Sequence, residues 1–156
     1  MRLALAHRPH ELIVFLTGAT EDANDKHEAA LRQRIAFFQH VLPDTSLLVM
    51  SPPDFAYGSM KAPRPSGRIV RLGRHKRAIA AETGCAFWDF HGAMGGQLSI
   101  ARFAMHRMAR YDLAHLNARG AAYMARRFLH ALLDDFNRRQ RTACNERNET
   151  APPDRP

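Results

Sequence analysis

Three short, unbroken apolar runs set the tightest limit on how this chain folds: Leu12-Ile13-Val14-Phe15-Leu16, Ser46-Leu47-Leu48-Val49-Met50 and Ala86-Phe87-Trp88-Asp89-Phe90. A strand with one face in water alternates apolar and polar residues, whereas a strand covered on both faces needs no polar side. These runs are therefore predicted strands of a buried parallel sheet. Between the first two, Ala29, Leu31, Ile35, Phe38 and Val41 recur at helical spacing over Asp25 to Val41, and Pro43-Asp44 stops the pattern. Between the second and third, Ile69, Leu72, Ile79 and Ala80 stand among basic residues from Arg68 to Thr83, closed by Gly84. A last helix is predicted after Asn117, its cap, with Ala121, Met124, Ala125, Phe128, Leu132 and Phe136 as one apolar stripe. Strands alternating with helices predict an α/β fold of the doubly wound kind, with functional residues beyond the carboxyl ends of the strands.

The connections carry their own signals. Ser51-Pro52-Pro53-Asp54 ends the second strand, and the segment on to Gly67, with Gly58, Pro63 and Pro65, reads as a long exposed loop. Ala93-Met94-Gly95-Gly96 is turn-rich, and Ser99 to Arg110 is a short helix or loop. From Asn137 the composition is polar and ends in Ala151-Pro152-Pro153, so a domain over residues 1–136 and a disordered tail over 137–156 are expected.

At 156 residues and 46% hydrophobic content the chain suffices for one packed domain. No stretch approaches the roughly 18 apolar residues of a membrane span, and Met1 to His10 lacks the layout of a signal peptide, so no membrane partner and no export are expected from these residues alone. The formal charge of +8 invites a nucleic-acid reading. Its distribution argues against one, because the basic residues fall in three separate regions, Arg64 to Arg77, Arg102 to Arg110 and Arg126 to Arg141, without interleaved stacking aromatics. Cys85 reads as a small core residue and Cys144 as an exposed one, and neither they nor the nine histidines show metal-ligand spacing. No metal or other cofactor is predicted.

The candidate chemistry lies in Asp112-Leu113-Ala114-His115, just ahead of the last helix. In a tight turn, a carboxylate three residues before a histidine reaches one imidazole nitrogen and leaves the other free as a general base. The alternative is a helix-terminal aspartate beside a surface histidine.

The run Arg110-Tyr111-Asp112-Leu113-Ala114-His115-Leu116-Asn117-Ala118-Arg119-Gly120 resembles the last conserved block of SGNH/GDSL-type hydrolases. Phe87-Trp88-Asp89 followed by Ala93-Met94-Gly95-Gly96, and the strand ending in Pro52-Pro53-Asp54, resemble segments of the bacterial branch related to peptidoglycan O-acetylesterases. The resemblance covers most of residues 10 to 136. It implies a partial flavodoxin-like three-layer αβα sandwich with about three parallel strands, in which His115 is the general base and Asp112 orients it. By the same resemblance Asp89 is a structural residue at a strand end, Met94-Gly95-Gly96 helps shape the site, and Trp88 and Phe87 are core aromatics.

The departures are as informative. The family's Gly-Asp-Ser nucleophile block has no counterpart, and Ser51, Ser59, Ser66 and Ser99 do not occupy nucleophile positions. No Gly-x-Ser-x-Gly elbow replaces it. Where the family places an oxyanion-stabilising Asn after a glycine, this chain has Gly18-Ala19-Thr20-Glu21, which makes Gly18 and Thr20 a degenerate oxyanion site, with Asn24-Asp25 as a substitute only by a loop shift. The chain is expected to begin within the helix before the family's third strand, leaving Leu12 to Leu16 as a bare sheet edge open to self-association or strand pairing. Three accounts follow: part of an esterase that hydrolyses acyl or acetyl esters when intact and is inactive as this chain; a pseudoenzyme or interaction module using the exposed edge; and a basic nucleic-acid-binding domain. Related esterases are often exported, so localisation stays open.

Overall fold

The computed structural model describes residues 12–16 and 24–149, and for Asp25 and residues 139–149 the backbone alone. The chain divides into two compact units, residues 1–121 and 122–156. In the first, strands β1 (Leu12–Phe15), β2 (Ser46–Met50) and β5 (Ala86–Trp88) form a parallel sheet in the order β1-β2-β5. Val14 lies opposite Leu48, and Val49 opposite Phe87. Helix α1 (Asp25–Val41) joins β1 to β2, and α2 (Gly67–Glu82) lies between β2 and β5. Strands added one after another in the same direction through right-handed crossovers place their connecting helices on the same face.

The core shows that arrangement. Leu31 and Ile35 of α1, Leu47 and Val49 of β2, and Ile79 and Ala80 of α2 form one buried cluster, joined by the half-buried Ile13, Phe15, Phe38, Cys85 and Phe87. The odd-numbered strand residues supply this face because side chains alternate along a strand. Leu48 and Met50 are buried on the opposite face of β2. Phe15 and Phe38 meet edge to face at 5.7 Å, which ties β1 to α1. Asn24 starts α1, its side-chain oxygen accepting the His27 N–H at 3.0 Å, so that oxygen serves as a helix cap. Arg32 of α1 reaches both Glu28 and Glu82, the latter at the end of α2, and Glu28 also pairs with His75. Arg77 covers the Phe87 ring at 4.6 Å, so at least two of the basic residues are spent inside the fold.

Two segments differ from the sequence expectation. The loop after Asp54 contains a hairpin, β3 (Ala56–Ser59) and β4 (Ala62–Pro65), with Gly58 opposite Pro63 and Ala56 opposite Pro65. The two prolines are two residues apart, so both missing N–H groups lie on the outer edge of the ribbon and cost it no pairing. After β5, the chain forms the short helix α3 (Phe90–Met94), capped by Asp89, whose carboxylate accepts the Gly92 N–H at 2.9 Å. Helix α4 (Ser99–Met105) follows, and then α5 (Ala118–Glu149).

Helix α5 runs through the polar segment after Asn137 as far as Glu149. Arg, Gln and Glu are good helix formers in themselves, and apolar periodicity is not required to continue a helix already begun. The described residues of the second unit all belong to this helix, with Leu129, Leu133 and Phe136 exposed along it. Among the described residues no helix is long and apolar enough to cross a membrane.

Candidate active site

The Asp112–His115 pair sits in a small closed loop whose base is set by backbone bonds. Ala109 and Leu116 form an isolated antiparallel bridge, and the Arg110 N–H donates to the His115 carbonyl at 2.8 Å. Within the loop, the Asp112 Oδ1 accepts the N–H groups of Ala114 at 2.9 Å and His115 at 3.0 Å. The other oxygen, Oδ2, lies 2.9 Å from His115 Nδ1. One carboxylate therefore folds its own loop and aligns the imidazole. The two backbone donors and the His115 ring, with the Ala114 N–H foremost, hold the Asp112 carboxyl down at about 2, from an ordinary value of 3.8. It is ionised at any physiological pH.

Leu113, between the two, is the loop's anchor. It has a left-handed backbone, with φ of 59°, yet its side chain is only 1% exposed. A leucine in that conformation is strained, and burial of its side chain offsets the strain. Its carbonyl accepts the Ala56 N–H at 3.1 Å, which joins the loop to the base of the β3–β4 hairpin. Asn117 then starts α5, accepting the Gly120 N–H at 3.1 Å and donating from Nδ2 to the Arg107 carbonyl at 3.0 Å. The result is an imidazole with Nδ1 occupied, Nε2 unbonded among the described residues, and a side chain 71% exposed at the surface. Such a group can take a proton from a nucleophile brought to it.

A second, partly buried network lies beyond the ends of β2 and β5. Ser51 donates to Asp89 Oδ1 at 3.0 Å and accepts the His91 N–H at 3.2 Å, while Arg77 holds Asp89 Oδ2 at 3.1 Å. Asp54, 1% exposed, faces His91 Nε2 at 3.4 Å without a hydrogen bond between them. The sequence marked Asp54 as the end of a proline-stopped strand and of a segment that carries the family resemblance, with no role assigned, and gave no signal for His91. A groove of about 210 Å³ runs beside this network, lined by Val70, Gly73, Arg74, Arg77, Asp89 and His91, and neither Asp112 nor His115 lines it.

The serines divide by exposure. Ser51, Ser66 and Ser99 are at most 1% exposed, while Ser46, at the start of β2, and Ser59, in the hairpin, are exposed. Gly18 and Thr20 lie outside the described residues, as do Ala19 and Glu21. Among the described residues no cluster of three or more His, Cys, Asp or Glu could hold a metal ion.

No family model and no curated protein matches the chain. Its structure is similar to a solved peptidoglycan O-acetylesterase with a TM-score of 0.71 at 20% identity, over 80% of this chain. Over that region the fold is that of the esterase. Its three parallel strands and flanking helices make it a partial flavodoxin-like α/β fold, and the chain spans 37% of that esterase's length. A lipase/acylhydrolase from Enterococcus faecalis aligns over 79% of this chain and 60% of its own, with a TM-score of 0.47 and 16% identity.

Proposed function

We propose that this chain carries the acid–base half of an SGNH-type ester hydrolase, with His115 as general base and Asp112 as the residue that orients it. The observation that carries the reading is the 2.9 Å contact from Asp112 Oδ2 to His115 Nδ1 in a loop that leaves the other ring nitrogen open. In the reaction so proposed, His115 Nε2 takes the proton of a serine hydroxyl as its oxygen attacks the ester carbonyl. It then returns that proton to the departing alcohol, while Asp112 remains a carboxylate throughout and stabilises the imidazolium. The substrate class is an acyl or acetyl ester, in keeping with the O-acetylesterase to which the fold is similar.

The nucleophile has to come from outside these 156 residues. Of the five serines, Ser51, Ser66 and Ser99 are buried, and the exposed Ser46 and Ser59 lie at the start of β2 and on the hairpin strand β3 rather than on a strand-to-helix elbow. The chain by itself is therefore expected to hydrolyse p-nitrophenyl acetate no faster than free imidazole at matched concentration, with His115→Ala giving the same rate. A fluorophosphonate probe should label none of its serines. A His115-dependent rate well above imidazole, or a labelled serine, would overturn the missing-nucleophile part of the reading.

A second reading has one observation in its favour. Strand β1 is at the edge of the described sheet, with Leu12 39% exposed and Leu16, just beyond it, 71% exposed. A bare apolar edge pairs readily with another strand, so an interaction module that recruits a partner strand is the alternative. Saturable binding of a separate protein that Leu12→Lys abolishes would favour it.

A further inference from the structure

Asp54 is 1% exposed, and a carboxylate withdrawn from water persists only where donors or positive charge meet its oxygens. Its Oδ2 accepts the Ile100 N–H at 3.0 Å, its Oδ1 faces His91 Nε2 at 3.4 Å, and its backbone N–H donates to Met94 Sδ at 3.3 Å. Ile100 lies in the first turn of α4. That helix is preceded by Leu98 in a left-handed conformation with no side-chain cap, and its first turn holds no acid. Asp54 thus supplies, from a distant part of the sequence, the N-terminal acceptor that the local sequence of α4 lacks.

Both supports of the Asp112–His115 loop lead back to this carboxylate. Helix α4 hands over to the loop through the Met108 N–H, which donates to the Phe103 carbonyl at 2.7 Å, and through the Met108 carbonyl, which accepts the Asn117 N–H at 3.2 Å. Two residues beyond Asp54, the Ala56 N–H holds the Leu113 carbonyl. We propose that Asp54, packed against His91, is a positioning residue for His115: it fixes α4 and the Leu113 anchor together, and so fixes the direction of the imidazole. The proposal rests on reading His115 as the base of an ester hydrolase, where a small misplacement of a catalytic group is costly. It deepens that reading by placing an orienting residue outside the dyad itself.

The test is nuclear magnetic resonance on the full chain, which needs no turnover. Amide exchange at Ala114 and His115 and the ring nitrogen shifts of His115 are compared in the parent chain, Asp54→Asn, His91→Gln and Ile35→Ala. The last weakens the core away from the loop and reports what general destabilisation does. Asp54→Asn is expected to speed exchange at Ala114 and His115 by about tenfold or more beyond Ile35→Ala, with the His115 ring shifts moving toward those of a freely averaging imidazole. A folded Asp54→Asn whose signals match those of Ile35→Ala overturns the proposal. If Asp54→Asn does not fold, His91→Gln decides: a change at Ala114 and His115 in the same direction supports the proposal, and parent-like signals overturn it. Failure of the esterase reading would look different: no His115-dependent ester hydrolysis when a segment carrying a serine nucleophile is supplied to the chain, with these loop signals intact.

Discussion

Asp112 meets three donor groups with two oxygens, and that economy makes its protonation state visible in the loop. Its folded pKa of about 2 lies below the ordinary 3.8, so the ionised form is the one the folded loop prefers. The stabilisation is present above pH 4 or so and is lost as pH falls from about 3.8 through about 2. Protection of the Ala114 and His115 amides should disappear over that interval, and Asp112→Asn should show weak protection at every pH. Hydrogen exchange against pH checks both. Leu113→Ala should cost about 2 to 4 kcal/mol in urea unfolding, since it removes a buried side chain and keeps the left-handed backbone. The pair itself was legible in sequence because its members are three residues apart. Leu113's conformation was not, since leucine is a poor indicator of a left-handed turn. Nor was the contact between Asp54 and His91, which are 37 residues apart in sequence and meet only once β2 and β5 have paired.

At the scale of elements, the strand and helix expectations that rested on periodicity match closely. Helix α1 and strand β2 have the expected bounds, α2 is offset by one residue, and β1 stops one residue early. Strand β5 is shorter than its apolar run because Asp89 turns the chain into α3, a local capping choice that continuous apolarity hid. The β3–β4 hairpin was hidden for a different reason: proline argues against a strand in general but not on the outer edge of a two-stranded ribbon. The junction into α5 offers the sharpest test at this scale. Asn117→Ala should cost about 1 kcal/mol through the lost cap, measured by chemical denaturation. Gly120→Ala should cost more, about 2 kcal/mol or above, because a Cβ there collides with the Met108 carbonyl oxygen.

For the whole molecule, the order of elements and the burial of β2 on both faces followed from the unbroken apolar runs and their alternation with amphipathic segments. The expectation of a bare edge rests on sequence, because Leu12 to Leu16 carries no charge or proline. Analytical ultracentrifugation should find the apparent mass of the chain rising with concentration, and Leu12→Lys should return it to the monomer value. A monodisperse, cooperatively melting monomer in the parent chain would show that the edge is not available for pairing. The positive charge has a smaller role than its size suggests. Arg32 and Arg77 serve ion pairs and a ring contact, so binding to nucleic acid, if any, should vanish at moderate salt.

The buried Leu113 between an aspartate and a histidine adds a condition that the pair alone does not state. Many proteins contain an acid three positions ahead of a histidine, and in most of them nothing pins the intervening residues. A bulky apolar residue immediately after the acid, with a cavity waiting for it, turns a flexible spacing into a fixed angle. Chance occurrences of the short pattern can accordingly be sorted by the size and burial of a residue that takes no part in the proton transfer.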